Sequence, residues 1–265
     1  SDATFADIID NYAPDLCAET IRTGNLLEHK ALESAKLVIY SSDWAAQSAI
    51  NNYRVNPQKV KVIPFGANVE HNYGINDIKR FVDSRSKKEC NLLFMGVDWE
   101  RKGGDIAVKV TQKLNEAGLK TTLHIAGPKR IPLRTLPSFL INHGFISKGT
   151  EDGKRKIINL MAKSHFLILP TRAEAYGLVF CEASSLGLPS ITTNVGGIPT
   201  IIRNNINGTM FERTDKEDVY AKYIITMFSN YNKYKELAVS SFNEYTTRLN
   251  WNIAGKSIKS LLEEL

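Results

Sequence analysis

With 265 residues, 43% of them apolar and 23% charged, the chain has room for one large domain or two small ones around a substantial core, and its composition excludes a disordered or fibrous protein. Its formal net charge of +6 suits a nucleotide diphosphate, an anionic membrane surface or a nucleic acid, but no basic block with interleaved aromatics occurs, which argues against nucleic acid. Three cysteines (Cys17, Cys90, Cys181) and five scattered histidines lack metal-ligand spacing, so no metal site is predicted; there is no apolar run long enough to span a membrane and no signal-peptide pattern, and a cytoplasmic chain is expected.

Residues 1–34 are mixed, with Pro14 as a breaker and Asn25 to Ser34 reading as a helix whose Leu26, Leu27 and Leu32 form one face. Ala35 to Tyr40 is a buried strand, Ser41-Ser42-Asp43 a helix N-cap cluster, Trp44 to Tyr53 the helix, and Val60 to Ile63 the next strand, closed by Pro64-Phe65-Gly66. Val69 to Glu89, rich in Asn, Asp, Lys and Ser, reads as a linker with one short helix. After it come an apolar strand (Asn91 to Met95), a polar loop (Gly96 to Gly104), a helix (Asp105 to Ala117) burying Ile106, Val110 and Leu114, and a strand (Leu123 to Ala126) ended by Gly127-Pro128.

Pro132 and Pro137 leave a short helix, followed by a weak strand around His143 to Ile146. Asp152 to Lys163 is an amphipathic helix, His165 to Leu169 a strand closed by Pro170, and Leu178 to Leu186 a helix started by Gly177 and stopped by Gly187 and Pro189. Ser190 to Thr193 is a strand, Ile198 to Arg203 a short helix, Thr209 to Phe211 a small strand, and the last fifty residues are helical, ending with Trp251 to Leu265. Strands alternating with helices at this pitch predict an α/β fold with a doubly wound parallel sheet.

Two stretches carry chemistry. In LPTRAEAYGLVFCEASSLGLPSIT, Leu169 to Thr192, a strand, loop and helix put free backbone N–H groups and the positive end of a helix dipole at the carboxyl edge of the sheet, where anions bind. Glu174 precedes that helix and Glu182 lies inside it, so both are expected to face a ligand resting between them; compensation of the helix dipole is the plainer reading of either one alone. In FMGVDWERKGGD, Phe94 to Asp105, the same strand, glycine loop and helix start recurs, with Arg101 and Lys102 as cations; a solvated loop pair is the alternative. The GxGxxG pattern of a dinucleotide fold is absent, against NAD or FAD.

Glu174 and Glu182 with seven residues between them, with Ala175-Tyr176-Gly177 after the first and Ala183 after the second, resemble the signature of glycosyltransferase family 4, retaining enzymes of the GT-B fold. The resemblance covers residues 35–265 and implies a nucleotide-diphosphate sugar as donor and a glycan or lipid-linked acceptor, with no cofactor besides the donor. It places Glu174 on the donor sugar, the backbone around Ala175, Tyr176, Gly177 and Leu178 on sugar hydroxyls and phosphate, Glu182 on the ribose diol, and Lys102 on the diphosphate beside Gly96. Gly144 and Phe145 match a nucleobase position, Phe145 equally reading as a core aromatic, and Asn194 to Gly197 matches a loop bordering the donor pocket. Val97 stands where the family carries an arginine, leaving Arg101 as the candidate replacement, and Thr200 stands where it carries a glutamate.

The implied organisation is a remnant of an amino-terminal acceptor domain (1–70), a linker (71–89), a donor-binding domain like the C-terminal half of a GT-B enzyme (90–250) and a crossover helix (251–265). The chain begins at Ser1 and is expected to be a fragment that binds donor but transfers sugar poorly; polysaccharide assembly is common in the family, and the +6 charge is compatible with peripheral membrane contact. Competing readings are a two-carboxylate glycoside hydrolase using Glu174 and Glu182, a GT-B sugar-nucleotide epimerase, and a non-catalytic nucleotide-sugar-binding module.

Overall fold

The computed structural model describes residues 1–13 and 15–265; Pro14, the expected breaker, lies outside the described residues. Helix α1 (Phe5–Tyr12) starts in a capping box in which Thr4 and Asp7 exchange side-chain and backbone bonds. Helix α2 (Ala18–Ser34) is longer than its sequence suggested, and of the three leucines expected on one face only Leu32 is buried, while Leu26 and Leu27 are exposed. Strand β1 (Val38–Tyr40), helix α3 (Asp43–Tyr53) and strand β2 (Val60–Val62) form a parallel strand-helix-strand unit. Ser42 caps α3 by accepting the Ala45 amide at 3.2 Å. A small core of Leu32, Val38, Tyr40, Ala45, Ala49 and Tyr53 holds this unit together.

Helix α4 (Ile75–Ser84) follows, and its Ile78 and Val82 are buried in the larger core. The second sheet contains six parallel strands: β3 (Cys90–Met95), β4 (Thr121–Ala126), β5 (Leu140–Asn142), β6 (Phe166–Leu169), β7 (Ser190–Thr193) and β8 (Gly208–Phe211). Their order is β5-β4-β3-β6-β7-β8, so the winding reverses between β3 and β6. Such a reversal opens a crevice beyond the carboxyl ends of the central strands. The central strands read as unbroken apolar runs because both faces are covered; Leu92, Phe94, Leu123, Ile125, Leu167 and Ile191 are all fully buried. The strand expected at His143 to Ile146 lies instead at Leu140–Asn142, an edge strand whose Ile141 is exposed, so no apolar run marks it.

Helix α5 (Gly104–Glu116) connects β3 to β4, α6 (Glu151–Lys163) precedes β6, and α7 (Leu178–Ser185) connects β6 to β7. The short α8 (Ile198–Ile201) precedes β8, and α9 (Glu217–Ser229), α10 (Tyr231–Thr247) and α11 (Trp251–Glu263) close the chain. Helix α9 packs on α5, and α10 on α4 and α7.

The two sheets are tied together at several points. Tyr176, from the loop before α7, donates its hydroxyl to the Phe65 carbonyl at 3.0 Å, and the Phe65 ring stacks on Trp251 of α11. Thr200 of α8 accepts the Asp43 amide at 2.9 Å and donates to the Asp43 carboxylate at 2.8 Å, which fixes the start of α3 against the larger sheet.

Candidate functional site

At the carboxyl edge of β3, β4 and β6 lies a cavity of about 560 Å³, beside the point where the winding reverses. Met95, Gly96 and Val97 line it from the end of β3, Ala126 and Gly127 from the end of β4, Phe145, Ile146 and Lys148 from the segment after β5, and Glu174 and Tyr176 to Val179 from the segment after β6. Three glycines let these segments approach. The Gly96 amide donates to the Ala126 carbonyl at 3.0 Å, and the Gly127 amide to the Gly144 carbonyl at 2.8 Å. A Cβ on Gly127 would fall 2.6 Å from the Gly96 carbonyl oxygen, and its φ of +119° is open only to glycine, so both space and backbone require that residue.

Lys102 and Glu174 meet in this cavity as an ion pair, with 13% and 10% of their side chains exposed. Glu174 is held from behind by the loop after β7: its carbonyl accepts the Gly197 amide at 3.1 Å. Gly177, Leu178 and Val179 open α7, and the first amides of a helix have no intrahelical acceptor. A lysine and unpartnered helix amides at one wall make an anion site, and Glu174 beside them adds a hydrogen-bond acceptor for hydroxyls.

Several of the expected site residues lie outside the cavity lining. Glu182 does not line the cavity: one turn beyond Leu178, it is fully buried beneath Lys148, whose ammonium reaches its Oε2 at 2.6 Å. Burial pushes the Glu182 carboxyl above its ordinary range, against the opposing pull of Lys148 and the Asn68 amide. Arg101 also stays outside the cavity lining; it pairs with Asp98 at 3.1 Å, donates to the Ala173 carbonyl at 3.1 Å and sits over the Tyr12 ring. Thus Arg101 does not stand in the cavity beside Val97, where the guanidinium is missing.

The start of α5 is not an open anion site either. The Gly103 and Gly104 amides donate to the Glu100 and Trp99 carbonyls, and Asp105 occupies the first turn, bound to Arg172 at 2.8 Å. Burial raises the Asp105 carboxyl, but Arg172 and the Asp105 and Ile106 amides outweigh it and hold it below the usual range. Gly144 is likewise engaged, its carbonyl accepting the Gly127 amide and its amide donating to the Asn142 side-chain Oδ1 at 2.9 Å, the Ala175 carbonyl packs against Gly197, and neither residue lines the cavity.

Gly96, Lys102, Phe145, Glu174, Tyr176, Gly177 and Leu178 are brought together as expected, with Phe145 63% exposed and so not a core aromatic. Tyr176 is buried between α7 and Phe65, and burial raises its hydroxyl's pKa. Lys148 and Gly127 were missed. Nothing local marks Lys148, because its partner is 34 residues away, whereas Gly127 directly after an apolar strand carried a signal for close approach. None of Asn194 to Gly197 lines this cavity; Val195 and Gly196 line a second, polar cavity of about 170 Å³ that shares Glu174 with the first. Both glutamates carry a lysine partner, which disfavours using them as the acid and base of a glycoside hydrolase. Among the described residues no group of three or more His, Cys, Asp or Glu side chains is arranged to hold a metal ion.

A doubly wound parallel sheet joined to a second strand-helix-strand unit is the fold this chain shares with solved glycosyltransferases of the GT-B class. The sequence profile of the family described as glycosyl transferases group 1 matches residues 75–242, well over half of the chain, and the chain belongs to that family. It is 26% identical over 229 residues to the gpi3 subunit of phosphatidylinositol N-acetylglucosaminyltransferase from Schizosaccharomyces pombe, a match covering 86% of this chain and 48% of that protein. Among solved structures it resembles the sucrose-phosphate synthase of Thermosynechococcus elongatus, with TM-score 0.73, 18% identity and coverage of 99% of this chain and 66% of that one. It also resembles Anabaena HepE solved with UDP, with TM-score 0.71, 19% identity and coverage of 96% and 70%. At these identities the structural likeness establishes the fold alone. The chain spans about half the length of the curated relatives it matches. Among the described residues no helix is long and apolar enough to cross a membrane.

Proposed function

We propose that this chain is the donor-binding part of a retaining glycosyltransferase that takes a sugar from a nucleoside-diphosphate sugar and passes it to a glycan or lipid-linked acceptor. The observation that carries the reading is the cavity at the switch point, where Lys102, Glu174 and the first amides of α7 converge. Related structures support it: Anabaena HepE has been solved with UDP and glucose, and TarM with UDP.

In this reading the diphosphate lies against Lys102 and the start of α7, Glu174 accepts hydroxyls of the sugar, Phe145 lies beside the base, and Glu182 receives the ribose diol. Negative charge grows on the departing phosphate as the bond to the anomeric carbon breaks. A lysine and oriented amides stabilise that charge more in the transition state than in the ground state, which is the condition for accelerating the step. No protein nucleophile and no cofactor enter. Residues 1–70 are read as the end of an acceptor-side domain, 90–250 as the donor domain and 251–265 as the crossover helix; the stretch expected as a linker, 71–89, instead packs α4 and Arg85 onto the donor domain's core, because Ile78 and Val82 are buried there. Transfer by the chain alone is then weak, and a cytoplasmic site with peripheral membrane contact suits a lipid-linked acceptor.

Saturation-transfer NMR with UDP-, GDP- and ADP-sugars tests the reading. One donor is expected to show contact through both its ribose and its sugar protons, and any transfer product is expected to keep the donor's anomeric configuration. Contact through the base alone would argue against a sugar site, an inverted product would overturn the retaining assignment, and epimerised donor formed without acceptor would favour an epimerase.

A further inference from the structure

Lys148 stands between the cavity and Glu182. Its ammonium reaches both carboxylate oxygens of Glu182, at 2.5 and 2.6 Å. Lys148 lines the cavity, while Glu182, one turn inside α7, is fully buried beneath it. The lysine side chain remains 42% exposed and lies on the irregular segment between β5 and α6, so it can leave; the glutamate, fixed on a packed helix, cannot.

A buried carboxylate stripped of its only ammonium is costly unless other donors take the same lone pairs. A ribose cis-diol offers two O–H donors at the spacing a carboxylate accepts. The released ammonium needs an anion in turn, and Lys102 and the first residues of α7 line the same cavity, marking where a phosphate would lie.

We propose that Lys148 is a specificity-determining residue of the donor site: it partners Glu182 while the site is empty, is exchanged there for the ribose diol, and turns to the diphosphate when donor binds. The proposal rests on the nucleoside-diphosphate reading above. Its consequence is selection for phosphorylated ligands. A nucleoside must displace the ammonium and offers it nothing, whereas a nucleoside diphosphate supplies a diol for Glu182 and an anion for Lys148 together.

The test is titration of the wild-type chain and Lys148→Met with UDP, GDP, ADP and the matching nucleosides, using saturation-transfer NMR for the weak nucleosides. In Lys148→Met the preferred diphosphate is expected to bind about tenfold more weakly, while the nucleoside binds as well as before or better, so the preference for the diphosphate collapses. An unchanged preference, whether both ligands weaken or neither does, overturns the proposal. A second measurement uses inorganic pyrophosphate: Glu182→Gln releases the ammonium and is expected to tighten pyrophosphate binding several-fold, and no gain there contradicts the exchange. Failure of the donor reading is separate, since it appears in the wild type as no binding of any diphosphate by a folded chain.

Discussion

Lys102 and Glu174 form an ion pair across 72 residues of sequence, joining the loop after β3 to the loop after β6 at the mouth of the cavity. Each is mostly buried and is the other's counter-ion, so the pair holds the empty site neutral. Lys102→Ala removes a contact for the diphosphate and leaves Glu174 unpaired. The expected result is a ten- to hundredfold loss of nucleotide affinity, from a contact worth about 1.5–3 kcal/mol, with stability lower by a similar amount in urea denaturation. Undiminished affinity would remove Lys102 from the site.

Gly103 has a φ of +74°, and a Cβ there would fall 2.0 Å from the Pro170 carbonyl oxygen. Backbone strain and the clash act together, so Gly103→Ala is expected to cost at least about 3 kcal/mol. Gly255 is the contrasting case: it lies within α11 with nothing in reach of an added methyl. Gly255→Ala is expected to stabilise by about 0.5–1 kcal/mol. Denaturant midpoints moving in the same direction for the two variants would contradict this contrast.

Arg85, just after α4, is buried without a carboxylate partner among the described residues. It donates instead to the carbonyls of Ala162 at 3.0 Å, Gly187 at 2.8 Å and Leu186 at 3.2 Å, and to the Tyr234 hydroxyl at 2.8 Å. Those carbonyls belong to the ends of α6 and α7, where helix dipoles favour a cation. Arg85→Ala orphans them, and a loss of about 3 kcal/mol or more in urea unfolding is expected. A loss below about 1 kcal/mol would mean that water replaces the guanidinium.

Two histidines set an acid limit. His165 is buried, its Nδ1 accepting the Asn91 amide and its Nε2 bonded to the Ser86 carbonyl; burial first, then Arg85, lowers its pKa to about 4. Burial and the facing His143 lower His124 to about 4 as well. The unfolded chain takes up these protons near the ordinary value of 6.5 while the folded chain refuses them until about 4. The stabilising contribution is therefore full above 6.5 and lost as pH falls towards 4. Urea midpoints should drop between about pH 7.5 and pH 5; equal midpoints would show that both rings ionise freely in the folded protein.

The strands of the larger sheet were legible because burial on both faces writes them as apolar runs, and α7 because Gly177 and Gly187 punctuate it. Glu174, Lys102 and the start of α7 were legible from loop motifs that sit beside their own strands. Three features were not. The edge strand β5 exposes Ile141 and Asn142 and so carries no apolar signature. Arg85 lay in a stretch read as linker, and its acceptors are 77 to 149 residues away. The cover that Lys148 places on Glu182 depends on how the segment after β5 folds over α7, which no local pattern encodes.

Calorimetric titration of the wild-type chain and Glu182→Ala with UDP, GDP and ADP addresses the central claim most directly. One diphosphate is expected to bind the wild type, and the variant to bind it about ten- to hundredfold more weakly. Absence of binding by a folded wild type at millimolar nucleotide would contradict the assignment of this cavity as the nucleotide-sugar site, and equal affinity in the variant would remove Glu182 from the ribose.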